Sequence, residues 1–130
     1  MRKYVKETKA FYVGAIAADS DALLYALWKV SAPIKIVAVK LGVDADNTKQ
    51  NTDYNTVELK GGTVVIAAIA NGPVAGGTTI LKGTFGDMVV NVAAAECDVA
   101  ADSTLTLKVT KTGNGLAYAG AIIQVEYYPN

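Results

Sequence analysis

Histidine is absent from this 130-residue chain, and cysteine occurs once, at Cys97. The first absence removes the usual general base and the commonest transition-metal ligand. The second rules out a disulfide within the chain and a zinc site of the ordinary Cys/His kind. A thiol nucleophile needs a base beside it, so Cys97 reads as a small buried hydrophobe. An excess of either charge is missing too, since 12 Lys and Arg balance 12 Asp and Glu. A neutral chain lacks the basic field that draws nucleic acid by counterion release. Long hydrophobic runs are also lacking. The longest apolar stretches, Val64–Ala70 among them, reach seven residues, against about 20 for a membrane span. Met1-Arg2-Lys3 is a basic start, yet Glu7 and Lys9 interrupt any signal-peptide core, so no export signal is expected. No cofactor, nucleic acid or membrane is expected as a partner.

The apolar share is 52 %, enough for a chain of this length to bury a core as one domain without staples. The pattern that organises it is a period of two. Leu105, Leu107 and Val109 alternate with Thr104, Thr106, Lys108 and Thr110. After the turn Thr112-Gly113-Asn114-Gly115 comes a second extended run, Ala121 to Tyr128. Strand side chains point to opposite faces in turn, so this alternation predicts an antiparallel pair with one wet and one buried face. Leu105, Leu107 and Val109 should face inward with Ile123 and Val125.

Other segments follow the same logic. Phe11 to Ala17 is a strand, ended by the polar turn 18–21. Ala22 to Val30 is open to either reading: Ala and Leu favour a helix with Asp21 as its cap, while Tyr25, Trp28 and Val30 suit a strand. With strands on both sides, it is read as β. Ile34 to Val43 places Val37, Val39, Leu41 and Val43 on one face. Val57 and Leu59 belong to a strand that turns at Gly61-Gly62 into Thr63 to Ala70, a hairpin signal. Val64 to Ile69 is apolar on both sides, so it should lie centrally or face a neighbouring subunit. Short strands are expected near 78–82 and 84–93, with an irregular connection over 94–102. Eight or nine short strands at spacings of roughly ten residues indicate an all-β, antiparallel β-sandwich. The long connections at 44–53 and 94–102 favour a jelly roll. Residues 1–8 read as an N-terminal arm and residues 9–130 as the single sandwich domain.

Three features invite a chemical reading. Asp44 and Asp46 stand at alternate positions, as in a calcium loop, but Lys49 and Asn55 occupy the places of its glycine and closing glutamate. A looser site would use Asp44, Asp46 and Asp53; a solvated loop suited to packing on another protein is the plainer reading. The pairs Gly61-Gly62 and Gly76-Gly77 precede no convincing helix, so they serve turns rather than phosphate. The eight tyrosine and tryptophan residues, Tyr54 among them, are scattered as core and interface residues are. No nucleophile-base triad and no carboxylate pair is evident, so catalysis is not expected.

The segments Tyr25-Ala26-Leu27-Trp28, Ala32-Pro33-Ile34-Lys35-Ile36, Asp53 to Gly62, Asp102 to Gly113 and Ile123-Gln124-Val125-Glu126-Tyr127 together resemble small virion proteins of tailed bacteriophages. These are β-sandwich or jelly-roll proteins that decorate or cement a capsid or form head fibres, and the likeness spans residues 11–128. It implies a structural protein on the capsid surface of a virion, made in the host cytoplasm. Its partners would be the major capsid protein and further copies of itself, as a homotrimer. Contact with capsid or subunit is expected at Arg2, Lys3, Tyr4 and Lys6 of the arm, and at Asp44, Asp46 and Tyr54. The alternative is a receptor- or glycan-binding module of a head or tail fibre.

Overall fold

Alternation of apolar and polar side chains yields strands and nothing else. The structure, a computed structural model, describes residues 5–18, 23–91 and 97–130, and these contain ten strands and no helix. They are β1 Glu7–Ile16, β2 Leu23–Lys29, β3 Ile34–Gly42, β4 Tyr54–Gly61, β5 Val64–Ala70, β6 Phe85–Asp87, β7 Val89–Val90, β8 Asp98–Val99, β9 Thr104–Thr112 and β10 Tyr118–Pro129. Sheet A runs β1-β10-β3-β6, with β8 also beside β3; sheet B runs β2-β9-β4-β5-β7. Every pairing is antiparallel. Leaving aside the two-residue β7 and β8, the first strand pairs the last, the second the next to last, and so inward to β4 with β5. That nesting is a long hairpin rolled into two layers, the jelly roll.

The inner faces meet in one core. Leu105, Leu107 and Val109 of β9 are buried with Val57 and Leu59 of β4, and opposite them lie Ile123 and Val125 of β10 with Val39 and Leu41 of β3. The ambiguous segment is strand β2, because its backbone pairs β9 from Leu23↔Val109 to Lys29↔Thr104.

Several expectations are corrected. The strands number ten rather than eight or nine. The two closing runs do not pair with each other: β9 lies in sheet B and β10 in sheet A, so they meet across the core rather than through backbone bonds. Val37 is exposed, not in line with Val39 and Leu41. Glu126 pairs Ala38 while Tyr127 pairs Ile36, so Val37 is the extra residue of a bulge and Ile36 takes the inward place. Residues 78–82 make only an isolated bridge, Asn47↔Ile80. The run from Thr84 divides: β6 joins sheet A, β7 joins sheet B, and buried Met88 crosses between them, its amide donating to Val39 O at 2.9 Å. Strand β5, expected centrally or against a neighbouring subunit, has β4 on one side and only the two-residue β7 on the other, so the central alternative is not what the sheet shows.

Two of the residues 1–8 expected as an arm lie in β1. These are Glu7 and Thr8, paired with Tyr127 and Glu126. Arg2, Lys3 and Tyr4 lie outside the described residues.

Candidate functional site

The sandwich has two unlike ends. Loops 43–53, 71–84 and 113–117 crowd one of them; the turns 30–33 and 62–63, the start of β1 and the end of β10 occupy the other, the terminus end. A crowded loop end must satisfy many backbone groups away from water. Three buried asparagines do this. Asn55 continues the inward row of Val57 and Leu59, and its amide binds the backbone of Leu116 on both sides: Nδ2 donates to Leu116 O at 2.7 Å, and Leu116 N donates to Oδ1 at 3.4 Å. Asn71 Nδ2 donates to Thr78 O at 2.8 Å and Asn47 O at 3.4 Å. The Tyr118 hydroxyl donates to Asn71 Oδ1, with the Asn55 carbonyl 3.5 Å away. Asn47 Nδ2 donates to Ala117 O at 2.8 Å. Burial holds the Tyr118 phenol well above its ordinary pKa. The sequence carried a signal for Asn55, a polar residue at an inward strand position; it carried none for Asn71, which lies in a loop.

The acidic residues of this end do not converge. Asp46 Oδ1 accepts from Lys82 N at 2.7 Å, and Asp53 Oδ1 accepts from Asn114 N at 2.8 Å. The Asp44 carboxylate lies against Gly120, where φ is +57° and a side chain would collide with it. Among the described residues no three His, Cys, Asp or Glu side chains gather as metal ligands would. Tyr54 packs its ring on Gly72, at a point where no Cβ could fit. Asp44, Asp46 and Tyr54 thus serve the chain's own loops.

Lys6 belongs to the opposite end, where its Nζ is 3.2 Å from Glu126. Asp44 N bonds Ala119 O, seven positions earlier on β10, so about 23 Å separates the two groups at ~3.3 Å per residue. Among the described contact candidates, Lys6 and Asp44 therefore lie at opposite ends of the sandwich.

The terminus end is sealed by rings. Trp28 of β2 lies 5.1 Å from the Tyr127 ring and 6.1 Å from Phe11, centroid to centroid, and Lys9 Nζ sits 4.4 Å over the indole. These side chains close the gap between the edge strands β1 and β2. Beside them is a shallow cleft of about 180 Å³ lined by Glu7, Trp28, Pro33, Ile34, Tyr127 and Pro129. Burial, together with a hydrogen bond from the phenol to Glu7 and its negative charge, raises the Tyr127 pKa.

The outer sheet faces differ as well. Across sheet A the partners Tyr12, Ile122, Gly42 and Phe85 form one outward row, with Tyr12 71 % and Phe85 46 % exposed at its ends. The next row is Ala10, Gln124, Lys40 and Asp87, in which Lys40 and Asp87 approach to 4.0 Å. Sheet B presents threonines, one acid (Glu58) and three lysines (Lys29, Lys60 and Lys108) between apolar margins. No family model, characterised protein or solved structure matches this chain. The functional reading therefore rests on its own residues and on the resemblance drawn from its segments.

Proposed function

We propose that this chain is a structural virion protein that binds and stabilises the outer surface of a bacteriophage capsid, a decoration or cement protein with no catalytic role. The observation that carries the reading is how its polar interior is used: the buried amides and the loop carboxylates hold loops together on a jelly-roll frame. What remains for recognition is broad sheet surface and the terminus end, which suit contact with another protein. Major capsid protein and further copies of the chain are its partners, three copies being the number the resemblance implies, and the virion surface is its location. In this reading Lys6 and the basic residues before it meet the capsid. The test is sedimentation of purified chain with capsids that lack it, followed by imaging. Co-sedimentation with density at fixed lattice positions supports the proposal; a chain left in the supernatant, with bare capsids, overturns it.

One observation favours a second reading, a receptor- or glycan-binding module of a head or tail fibre. The ring of Phe85 lies over Gly42 and the exposed ring of Tyr12 stands across Ile122 from it, with polar Gln124, Lys40 and Asp87 alongside. Binding to purified host surface polysaccharide that disappears in both Tyr12→Ala and Phe85→Ala would select this reading.

A further inference from the structure

Sheet B carries on its outer face a pattern that is complementary to itself. Lys108 stands between buried Leu107 and Val109, and Glu58 between buried Val57 and Leu59, so both point outward. They are direct partners across the seam between β9 and β4. The rows on either side pair Thr110 with Thr56 and Thr106 with Lys60 across the same seam. The central row continues to Leu24 on β2 at one margin, and to Ala68 on β5 and Val89 on β7 at the other. Leu24 is 64 % and Val89 79 % exposed.

Consider a second copy laid face to face, related by a two-fold axis parallel to the strands and passing over the β9/β4 seam. The operation exchanges β9 with β4 and keeps each residue in its row. Lys108 then meets Glu58 of the other copy, Glu58 meets its Lys108, Thr110 meets Thr56, and Thr106 meets Lys60. The same operation brings Leu24 over Ala68. One axis matches three rows in charge and hydrogen bonding and covers one of the exposed apolar side chains. Sheet A differs, because two of its outward charges are engaged within the chain: Glu126 with Lys6 and Lys40 with Asp87. Among the described residues Glu58 and Lys108 take part in no such bridge within the chain.

We propose that the outer face of sheet B is a docking surface for a second copy of this chain, in an isologous two-fold contact centred on Lys108 and Glu58. Such contacts are self-complementary by necessity, since each residue meets its counterpart's partner. Three rows on four strands span roughly 20 by 20 Å. That is about half of the ~800 Å² per partner of a standard interface, so the pair dissociates on dilution. The inference needs only the geometry of sheet B and stands whether or not the chain belongs to a virion. It assigns two copies to this contact, whereas the phage resemblance implies three.

Charge exchange tests it. Glu58→Lys makes the centre wholly basic and Lys108→Glu makes it wholly acidic, so each variant alone is held apart by like charges. Light scattering across a concentration series should give the wild type a mass approaching twice 13.5 kDa. Each variant alone should stay at the single-chain mass, and an equimolar mixture of the two should recover the double mass. Recovery on mixing is something that a role within one chain could not produce. Both positions face solvent, and melting curves establish that the variants fold. If one does not, Leu24→Glu replaces it and should also leave single chains. A wild type that is single-chain at every concentration overturns the proposal. So does a three-copy mass indifferent to the substitutions, or a mixture that fails to associate.

Discussion

The loop end and the terminus end of this sandwich solve the same problem by different physics. At the loop end, long connections bring many peptide groups out of water, and side-chain amides supply the partners that strands would otherwise provide. Asn55 does so by imitating a strand neighbour to Leu116. At the terminus end the turns are tight and few backbone groups need rescue, so Trp28, Phe11 and Tyr127 fill the opening with apolar surface. Directional bonds fix a loop in one arrangement; ring packing excludes water and tolerates change. The difference teaches that polar residues inside a jelly roll need not signal chemistry.

The strongest test bears on the core that both ends share. Leu107→Ala should cost about 2–5 kcal/mol, while outward Thr106→Ala stays within about 0.5 kcal/mol. Thermal melting would show a drop on the order of 10 °C for the first and almost none for the second. Equal shifts would mean that neither end is anchored to the core described above.

At the loop end, Asn71→Leu should cost about 2–3 kcal/mol, because it strands the Thr78 carbonyl and the Tyr118 hydroxyl in a buried place. At the terminus end, Trp28→Leu should cost about 1–2 kcal/mol, the scale of two aromatic contacts and one cation–π contact. Urea denaturation of the two variants side by side measures both. The reverse order would break the comparison.

Alkaline pH sharpens it. Burial raises the Tyr118 pKa above the ordinary value of about 10, so the folded state holds the phenolic proton more tightly than the unfolded chain does. The associated stability is present below about pH 10 and is lost as pH rises through the folded-state value. Melting temperature should therefore fall more steeply above pH 10 in the wild type than in Tyr118→Phe. Parallel curves would remove Tyr118 from the polar network.

The smallest effect is expected at Lys6. Its bridge to Glu126 is half exposed, and Lys6→Ala should change stability by less than about 0.5 kcal/mol. A loss comparable to that of Trp28→Leu would make the terminus end an electrostatic structure after all.

Much of the fold was legible as a period of two. The hairpin at Gly61-Gly62 and the inward set Leu105, Leu107, Val109, Ile123 and Val125 follow from alternation and turn chemistry. The two closing runs, expected to pair with each other, fall in different sheets because the nested topology joins β9 to β2 and β4, and β10 to β1 and β3. Val37 was misplaced because a bulge shifts the face without altering composition. The run after Thr84 read as one strand because local propensity is blind to which sheet each half joins. The candidate contact residues were chosen by charge and ring type, and such choices carry no distance. Lys6 and Asp44 consequently fell at opposite ends.

By itself, then, the sequence determined the class of structure. Side-chain alternation is local, written at i and i+2, and glycine-bearing turns are written in adjacent residues. Only the tertiary structure decided the nesting of strands, the burial of Asn47 and Asn71 as loop ties, and the meeting of Lys108 and Glu58 on one seam. These join residues tens of positions apart, and pairing across such distances is set by how the whole chain buries its apolar faces at once rather than by any neighbourhood of residues.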